Sequence, residues 1–335
     1  MNAYWPHDPL VLAWLTILLA ILVLLGYWCA RLRPAILGRI GAWSLVVFGG
    51  AAAERLCAAE PDGLRMLAII GALLYSMKGV VGVESVIAGE PRLTPVQWLA
   101  FSVGWFGMRP GLFASLGRPP ARSGVGSLIR EGLIRLIAGT CLLVLARLVW
   151  VMRSSSSESA ARFTATALAL PGLSLFLHFG IFDLLAAMWH LAGVDCRPFF
   201  RAPLYSTSLS EFWGRRWNLA FSEMTAIGIF RPLSTAIGRR AATAAAFLVS
   251  GLLHELAISL PVRAGFGGPL LYFLIQGGLI LIEGCFEAAG KTVNRIAWVG
   301  RLWTAVSLLA PLPILFHRPF LNGVIWPLFG MEIAE

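Results

Sequence analysis

The stretch LVLAWLTILLAILVLLGYWCA, residues 10–30, decides the fold class. It carries no charge over about 20 positions, enough as a helix to cross the roughly 30 Å hydrocarbon core of a bilayer. The preceding MNAYWPHDP lacks a basic n-region, and the run is longer than the apolar part of a cleaved signal. It therefore reads as a retained first span. The same signature recurs at 38–57, 65–87, 131–152, 163–193, 240–260, 268–288 and 298–316, with a shorter run at 219–231, giving eight or nine spans. Lipid offers backbone groups no hydrogen-bond partner, so a spanning chain forms helices or a closed barrel, and runs of this length select helices. The expected fold is all-α: a polytopic transmembrane helix bundle, residues 1–335 forming one integral membrane domain.

Composition agrees. Apolar residues make up 58% of the chain, charged residues 13%, and mean hydropathy is +0.77, against about 25% charged residues in soluble domains. The net charge of +10 comes from 27 Lys and Arg against 17 Asp and Glu, and only Lys78 and Lys291 are lysines. The arginines sit between apolar runs, where charges set topology and contact anionic lipid. Membrane lipids are thus the expected partners and nucleic acid is not. The linkers 31–39 (Arg31, Arg33, Arg39), 109–130 (Arg109, Arg118, Arg122, Arg130) and 195–217 (Arg197, Arg201, Arg215, Arg216) are basic, while 58–65 and 153–162 are mixed. That alternation predicts a non-cytoplasmic N-terminus. The chain would be a multi-pass protein of a bacterial inner membrane or of the endoplasmic reticulum. Cys29, Cys57, Cys141, Cys196 and Cys285 show no metal or disulfide spacing.

Some segments between spans are not ordinary loops. Residues 92–113, RLTPVQWLAFSVGWFGMRPGLF, and 196–218, CRPFFRAPLYSTSLSEFWGRRWN, mix aromatics with Arg, Gly and Pro and look interfacial. RSSSSESAAR, 153–162, reads as a flexible polar loop, 163–193 as a tilted or Pro171-broken helix, and 219–231 as partly re-entrant.

His254 lies within the run FLVSGLLHE, 247–255. Helical spacing puts Phe247, Ser250, Gly251, His254 and Ile258 on one face. Gly251 leaves room for a substrate or a close helix, Ser250 is one turn from the ring, and Glu255 is adjacent. An ionisable pair inside a span costs about 2.5–3.5 kcal/mol per mid-helix carboxylate even on insertion scales, so such residues usually face the bundle interior and act there. Histidine suits general-base work because its ordinary pKa is about 6.5; the competing reading is a buried histidine bonded to a neighbouring helix. A zinc-protease site fails, since the second histidine of H-E-x-x-H would fall at Ile258. His178 and His190, with Asp183, lack the spacing of facing ligands and read as structural; His7 and His317 read as interfacial. No metal is expected. Asn218, at the end of EFWGRRWN (211–218), enters an apolar run, where its amide needs partners.

The string SLSEFWGRRWN (208–218) followed by SGLLHE (250–255) resembles the wax-synthase-like branch of the membrane-bound O-acyltransferase (MBOAT) superfamily, and WFGMRP (105–110) is similar to the family's upstream pattern. The resemblance is strongest over 196–260. The family pairs an Asn with a later His; here Asn218 and His254 are 36 residues apart. The resemblance implies acyl transfer from acyl-CoA, a co-substrate rather than a tightly bound cofactor, to a lipophilic hydroxyl. In that chemistry His254 is the general base, and Asn218 positions the thioester or stabilises oxyanion charge. Arg215 and Arg216 suit the phosphates of CoA, with Arg231, Arg239 and Arg240 as further candidates. Trp213 and Trp217 would line the mouth; Ser250 and Glu255 would flank the base. A sterol, glycan or secondary-metabolite hydroxyl is the nearer alternative acceptor. A proton-coupled transporter using Glu54, Asp183, Glu255, Glu283 and Glu287 is the alternative of another class.

Overall fold

The computed structural model describes residues 2–119, 124–154, 157–290 and 296–331, which are helical and without strands. Arg122, Lys291 and two serines of the 153–162 loop lie outside the described residues. Among those described, eight helices are long and apolar enough to cross a membrane. In chain order the helices are α1 (Leu10–Cys29), α2 (Ala35–Leu56), α3 (Asp62–Ile87), the short α4 (Pro95–Gly104), α5 (Val125–Val151), α6 (Glu158–Leu191), the short α7 (Leu219–Thr225), α8 (Arg239–Val262), α9 (Gly268–Ala288) and α10 (Ala297–Leu315). The chain is thus a multi-pass integral membrane protein.

α3 is central. Two thirds of its apolar window (67%) is buried, against 17% for α5. It crosses α1 at Gly26 and Gly79, where a Cβ on Gly26 would lie 3.2 Å from the Gly79 Cα. Such close crossings use small residues because lipid gives helices no hydrophobic drive to associate. α6 is one helix rather than a broken one. Pro171 removes a backbone donor within it, and a π-helical stretch, Ser174–Ile181, follows directly.

Among the described residues, Tyr4 and the 324–330 stretch meet at one end of the bundle, as an even number of crossings between them requires. The Tyr4 hydroxyl donates to the Val324 carbonyl (2.9 Å) and the Trp150 indole to that of Gly330 (2.7 Å). The opposite end carries the linkers with Arg31, Arg109 and Arg197.

The 92–113 segment turns one side inward and leaves Val96, Leu99, Val103 and Phe106 exposed. Trp98, Phe101, Trp105, Met108 and Phe113 are buried, and α4 opens with a capping box made by Thr94 and Gln97. The Trp98 indole donates to the Val23 carbonyl (2.9 Å), so its polar edge needs no water. The end of α4 closes around Lys78, a fully buried side chain of α3. Its ammonium donates to the carbonyls of Phe101 (2.9 Å), Trp105 (2.7 Å) and Gly107 (2.6 Å), using all three N–H groups.

The 219–231 run is not a ninth span but part of a re-entrant excursion, and α9 supplies the ruler. Near its end, Glu283 accepts from the backbone N–H of Leu209 (2.9 Å) and Ser210 (3.1 Å) and from the Trp303 indole (2.8 Å). Two turns deeper, about 10 Å along the axis, Gln276 accepts from the Trp213 indole (3.2 Å). Deeper still, Phe273 packs on Trp213 and on His254. The chain from Leu209 to Phe221 therefore descends along α9 into the bilayer. It returns through α7, a π-helical stretch Ala226–Phe230 and Arg231–Ile237, then turns at Gly238 (φ 82°) into α8.

Candidate active site

His254 lies 15 residues from the start of α8, about 22 Å above the basic end of the bundle. Its Nδ1–H donates to the Ser250 carbonyl at 2.7 Å. A carbonyl only accepts, so this bond places the proton of the neutral ring on Nδ1 and leaves the Nε2 lone pair free. The ring sits between Phe273 (4.1 Å between centroids) and Phe221 (4.9 Å), with Trp213 and Phe247 packed behind them. Ser250 acts through its carbonyl; its hydroxyl donates to the Ala246 carbonyl (2.7 Å) and not to the ring. Gly251 admits a helix rather than a substrate, because a Cβ there would stand 2.8 Å from the Leu270 side chain of α9.

Asn218 is the tip of the re-entrant turn. It takes a left-handed conformation (φ 42°), which asparagine tolerates better than most side chains, and its Oδ1 caps α7 by accepting from the Phe221 N–H (3.3 Å). The tip is fixed from outside by two backbone bonds, Leu219 N–H to the Phe199 carbonyl (2.9 Å) and Arg201 N–H to that of Arg216 (2.8 Å). With Oδ1 committed to the cap, the Asn218 amide N–H groups remain as the donors at the tip.

A cavity of about 470 Å³ opens at the basic end and runs along α7. Arg109, Arg197, Arg201, Arg215 and Arg231 line it, with Asp195 and Glu223. Leu219, Ser222, Glu223 and Ala226, spaced i, i+3, i+4 and i+7, turn one side of α7 and its continuation toward this cavity. Phe221 turns the other way, onto His254. Glu223 pairs with Arg109 (2.8 Å). Burial holds the Glu223 carboxyl above its ordinary value, although Arg109, Arg201, Arg197 and Arg231 all pull it down.

The structure thus links Asn218 to His254 through Phe221 and Trp213 to His254 through Phe273, and puts Arg215 and Arg231 on the cavity. It places other expected site residues elsewhere. Arg216 donates to Glu211 (2.7 Å) and to the carbonyls of Arg201 and Ala202. Trp217 does not line a mouth: it stacks on Phe212 and packs against Phe200 and Phe179. Arg239 and Arg240 border a separate cavity of about 190 Å³. Glu255 caps α9, accepting from the N–H groups of Gly267 (2.8 Å) and Leu270 (3.1 Å). Glu255→Gln should accordingly lower stability by about 1–2 kcal/mol and leave turnover within threefold of wild type. Thermal unfolding in detergent alongside a rate assay checks both.

Four of the five carboxylates of the transporter reading are committed locally. Glu54 pairs with Arg65 (2.5 Å), Asp183 pairs with Arg135, Glu255 and Glu283 hold backbone amides, and Glu287 is exposed. The remaining histidines have local partners away from His254. His190 donates to the Cys196 carbonyl (2.6 Å), and His7 bonds the Ala59 carbonyl (3.0 Å). His178 packs among Phe182 and Phe200. His317 faces Ser259 (3.2 Å), but its Nδ1 accepts from the Phe320 N–H, so Nε2 carries the proton and cannot activate that hydroxyl as a base.

Residues 196–275, which hold Asn218, Glu223, His254 and Phe273, match the model of the membrane bound O-acyl transferase family. Over these residues the chain is similar to the membrane-bound O-acyltransferases. The chain is 31% identical over 146 residues to probable long-chain-alcohol O-fatty-acyltransferase 9 of Arabidopsis thaliana (41% of each chain) and 30% identical over 177 residues to number 2 of the same series (50% of each). It is 38% identical over 80 residues to a long-chain-alcohol O-fatty-acyltransferase of Simmondsia chinensis (22% of this chain, 23% of the relative). The chain thus matches half or less of the length of these relatives. The resemblance to the wax-synthase-like branch of the O-acyltransferases holds in the segment that builds the site.

Proposed function

We propose that this protein transfers a fatty acyl group from acyl-CoA to the hydroxyl of a long-chain alcohol. The observation that carries the reading is the position of Asn218. It stands at the tip of a re-entrant helix, with an arginine-lined cavity along one side and His254 on the other. The names of the relatives, all long-chain-alcohol acyltransferases, support the acceptor class.

In this reading the phosphates of acyl-CoA bind Arg215, Arg231 and their neighbours, the thioester reaches Asn218, and the alcohol approaches His254 from within the bilayer. His254 Nε2 takes the hydroxyl proton as the oxygen attacks the thioester carbon. The Asn218 amide donates to the oxyanion as it forms. The C–S bond then breaks, the carbonyl re-forms, and the departing sulfur takes the proton back from His254. The ester is released to the membrane and CoA to water. The cavity faces the cytoplasm, because positive charge is retained on that side, so the N-terminus lies on the other.

Purified protein given labelled acyl-CoA and a panel of hydroxyl acceptors should form labelled ester with long-chain alcohols, read by mass spectrometry. A preference for a sterol, glycan or secondary-metabolite hydroxyl would reassign the acceptor, and no ester with any acceptor would refute the reading. Asn218→Asp separates the two jobs of that side chain, since Asp still caps a helix but offers no amide donor. Rates should fall by about 10²–10³ with the unfolding midpoint nearly unchanged; wild-type rates in the Asp variant would reduce Asn218 to a cap.

A further inference from the structure

The arginine cavity contains its own anion. Of its two carboxylates, Asp195 is at the exposed rim against Arg197 (3.0 Å). Glu223 is deeper, 23% exposed, and binds Arg109 at 2.8 Å. The partners come from different walls: Glu223 from α7, five residues past Asn218, and Arg109 from the loop after α4 that Lys78 anchors. Without ligand, Arg109 is therefore already neutralised. A phosphate entering the cavity must draw Arg109 away from Glu223 and tolerate the carboxylate beside it. One phosphate offers little beyond what Glu223 already provides, whereas a ligand with several phosphate charges engages Arg197, Arg201, Arg215 and Arg231 together and outcompetes it.

We propose that Glu223 is a specificity-determining residue of this cavity, a resident counter-anion that occupies Arg109 until a polyphosphate ligand displaces it. The proposal rests on the reading of the cavity as the site for the phosphates of acyl-CoA. Glu223 sets a threshold: it excludes single phosphates and other small anions, and it weakens retention of free CoA, the product, which carries the same phosphates as the donor.

Glu223→Gln tests this. Glutamine keeps the length and still accepts from Arg109, but carries no charge. Calorimetric titration of the purified full chain with CoA, and separately with inorganic phosphate, should give CoA binding about fivefold tighter than wild type, the scale of a partly exposed ion pair. Phosphate binding should tighten at least as much, narrowing the preference for CoA. In an Arg109→Ala background the effect should shrink, because the direct competition is for Arg109 and only the weaker pull of Glu223 on Arg197, Arg201 and Arg231 remains. Unchanged or weaker binding of both ligands in Glu223→Gln would overturn the proposal, as would an effect that persists undiminished without Arg109. Wild-type protein that binds no CoA, or binds it equally after Arg215→Ala, would overturn the underlying reading of the cavity and the proposal with it.

Discussion

His254→Ala should lower ester formation by about 10³–10⁴-fold, the upper range for loss of a positioned general base. The geometry makes the expectation specific. The Ser250 carbonyl holds the proton on Nδ1, and the ring is clamped between Phe221 and Phe273, so one lone pair faces one direction. No lysine or carboxylate among the described residues is bonded to the ring to take over. The loss should fall on turnover rather than on donor binding, because His254 is separated from the arginine cavity by α7. CoA titrated into the variant should bind with wild-type affinity, which also reports that the protein is folded. Added imidazole should restore part of the rate by entering the space left between the two phenylalanines. Turnover within tenfold of wild type in a CoA-binding variant would remove His254 from the chemistry.

How far this site was legible depended on which interactions have a period. Spans announce themselves through continuous apolarity, and the eight were located within several residues. His254 was conspicuous because an imidazole in the middle of a span is costly, and Asn218 because a string of aromatics and arginines ends on it. The companions were not legible. Phe221 and Phe273 are ordinary apolar residues of their runs until the re-entrant turn brings one of them across to α8. Glu255 resembled a partner of the base, being its neighbour in sequence, but a helix turns about 100° per residue, and that rotation carried it to the start of α9. Arg216 and Arg215 are adjacent and chemically identical, yet one is locked onto Glu211 and the other lines the cavity. Such choices are made by the tertiary fold. One signal was available and unread: a lysine mid-span in a chain whose other cations are almost all arginines.

That lysine supports the second large expectation. Lys78→Met should destabilise the protein by about 2–4 kcal/mol and weaken binding of acyl-CoA. Methionine matches the length of lysine but donates nothing, so the carbonyls of Phe101, Trp105 and Gly107 lose a shared donor within the bilayer. Each such loss costs about 1–3 kcal/mol, offset in part because the ammonium no longer has to be desolvated. The choice of lysine follows from the geometry. Three carbonyls converge on one point from the end of α4 and the loop beyond it, and an ammonium directs three N–H groups outward from a single atom, whereas a guanidinium is a flat fork. Lys78→Arg should therefore fail to restore wild-type stability despite keeping the charge. The loop so anchored carries Trp105 and Arg109 to the wall of the cavity. When it loosens, Arg109 no longer meets Glu223 in a fixed geometry, and the KM for acyl-CoA should rise by more than kcat falls. Trp189→Phe is the matching control: it removes the indole that holds the Gly104 carbonyl of the same helix end (2.8 Å) but leaves the ammonium in place. A stability loss in Lys78→Met no larger than in Trp189→Phe, with an unchanged KM, would mean that the packing of the buried aromatics, and not the cation, sets the position of this loop.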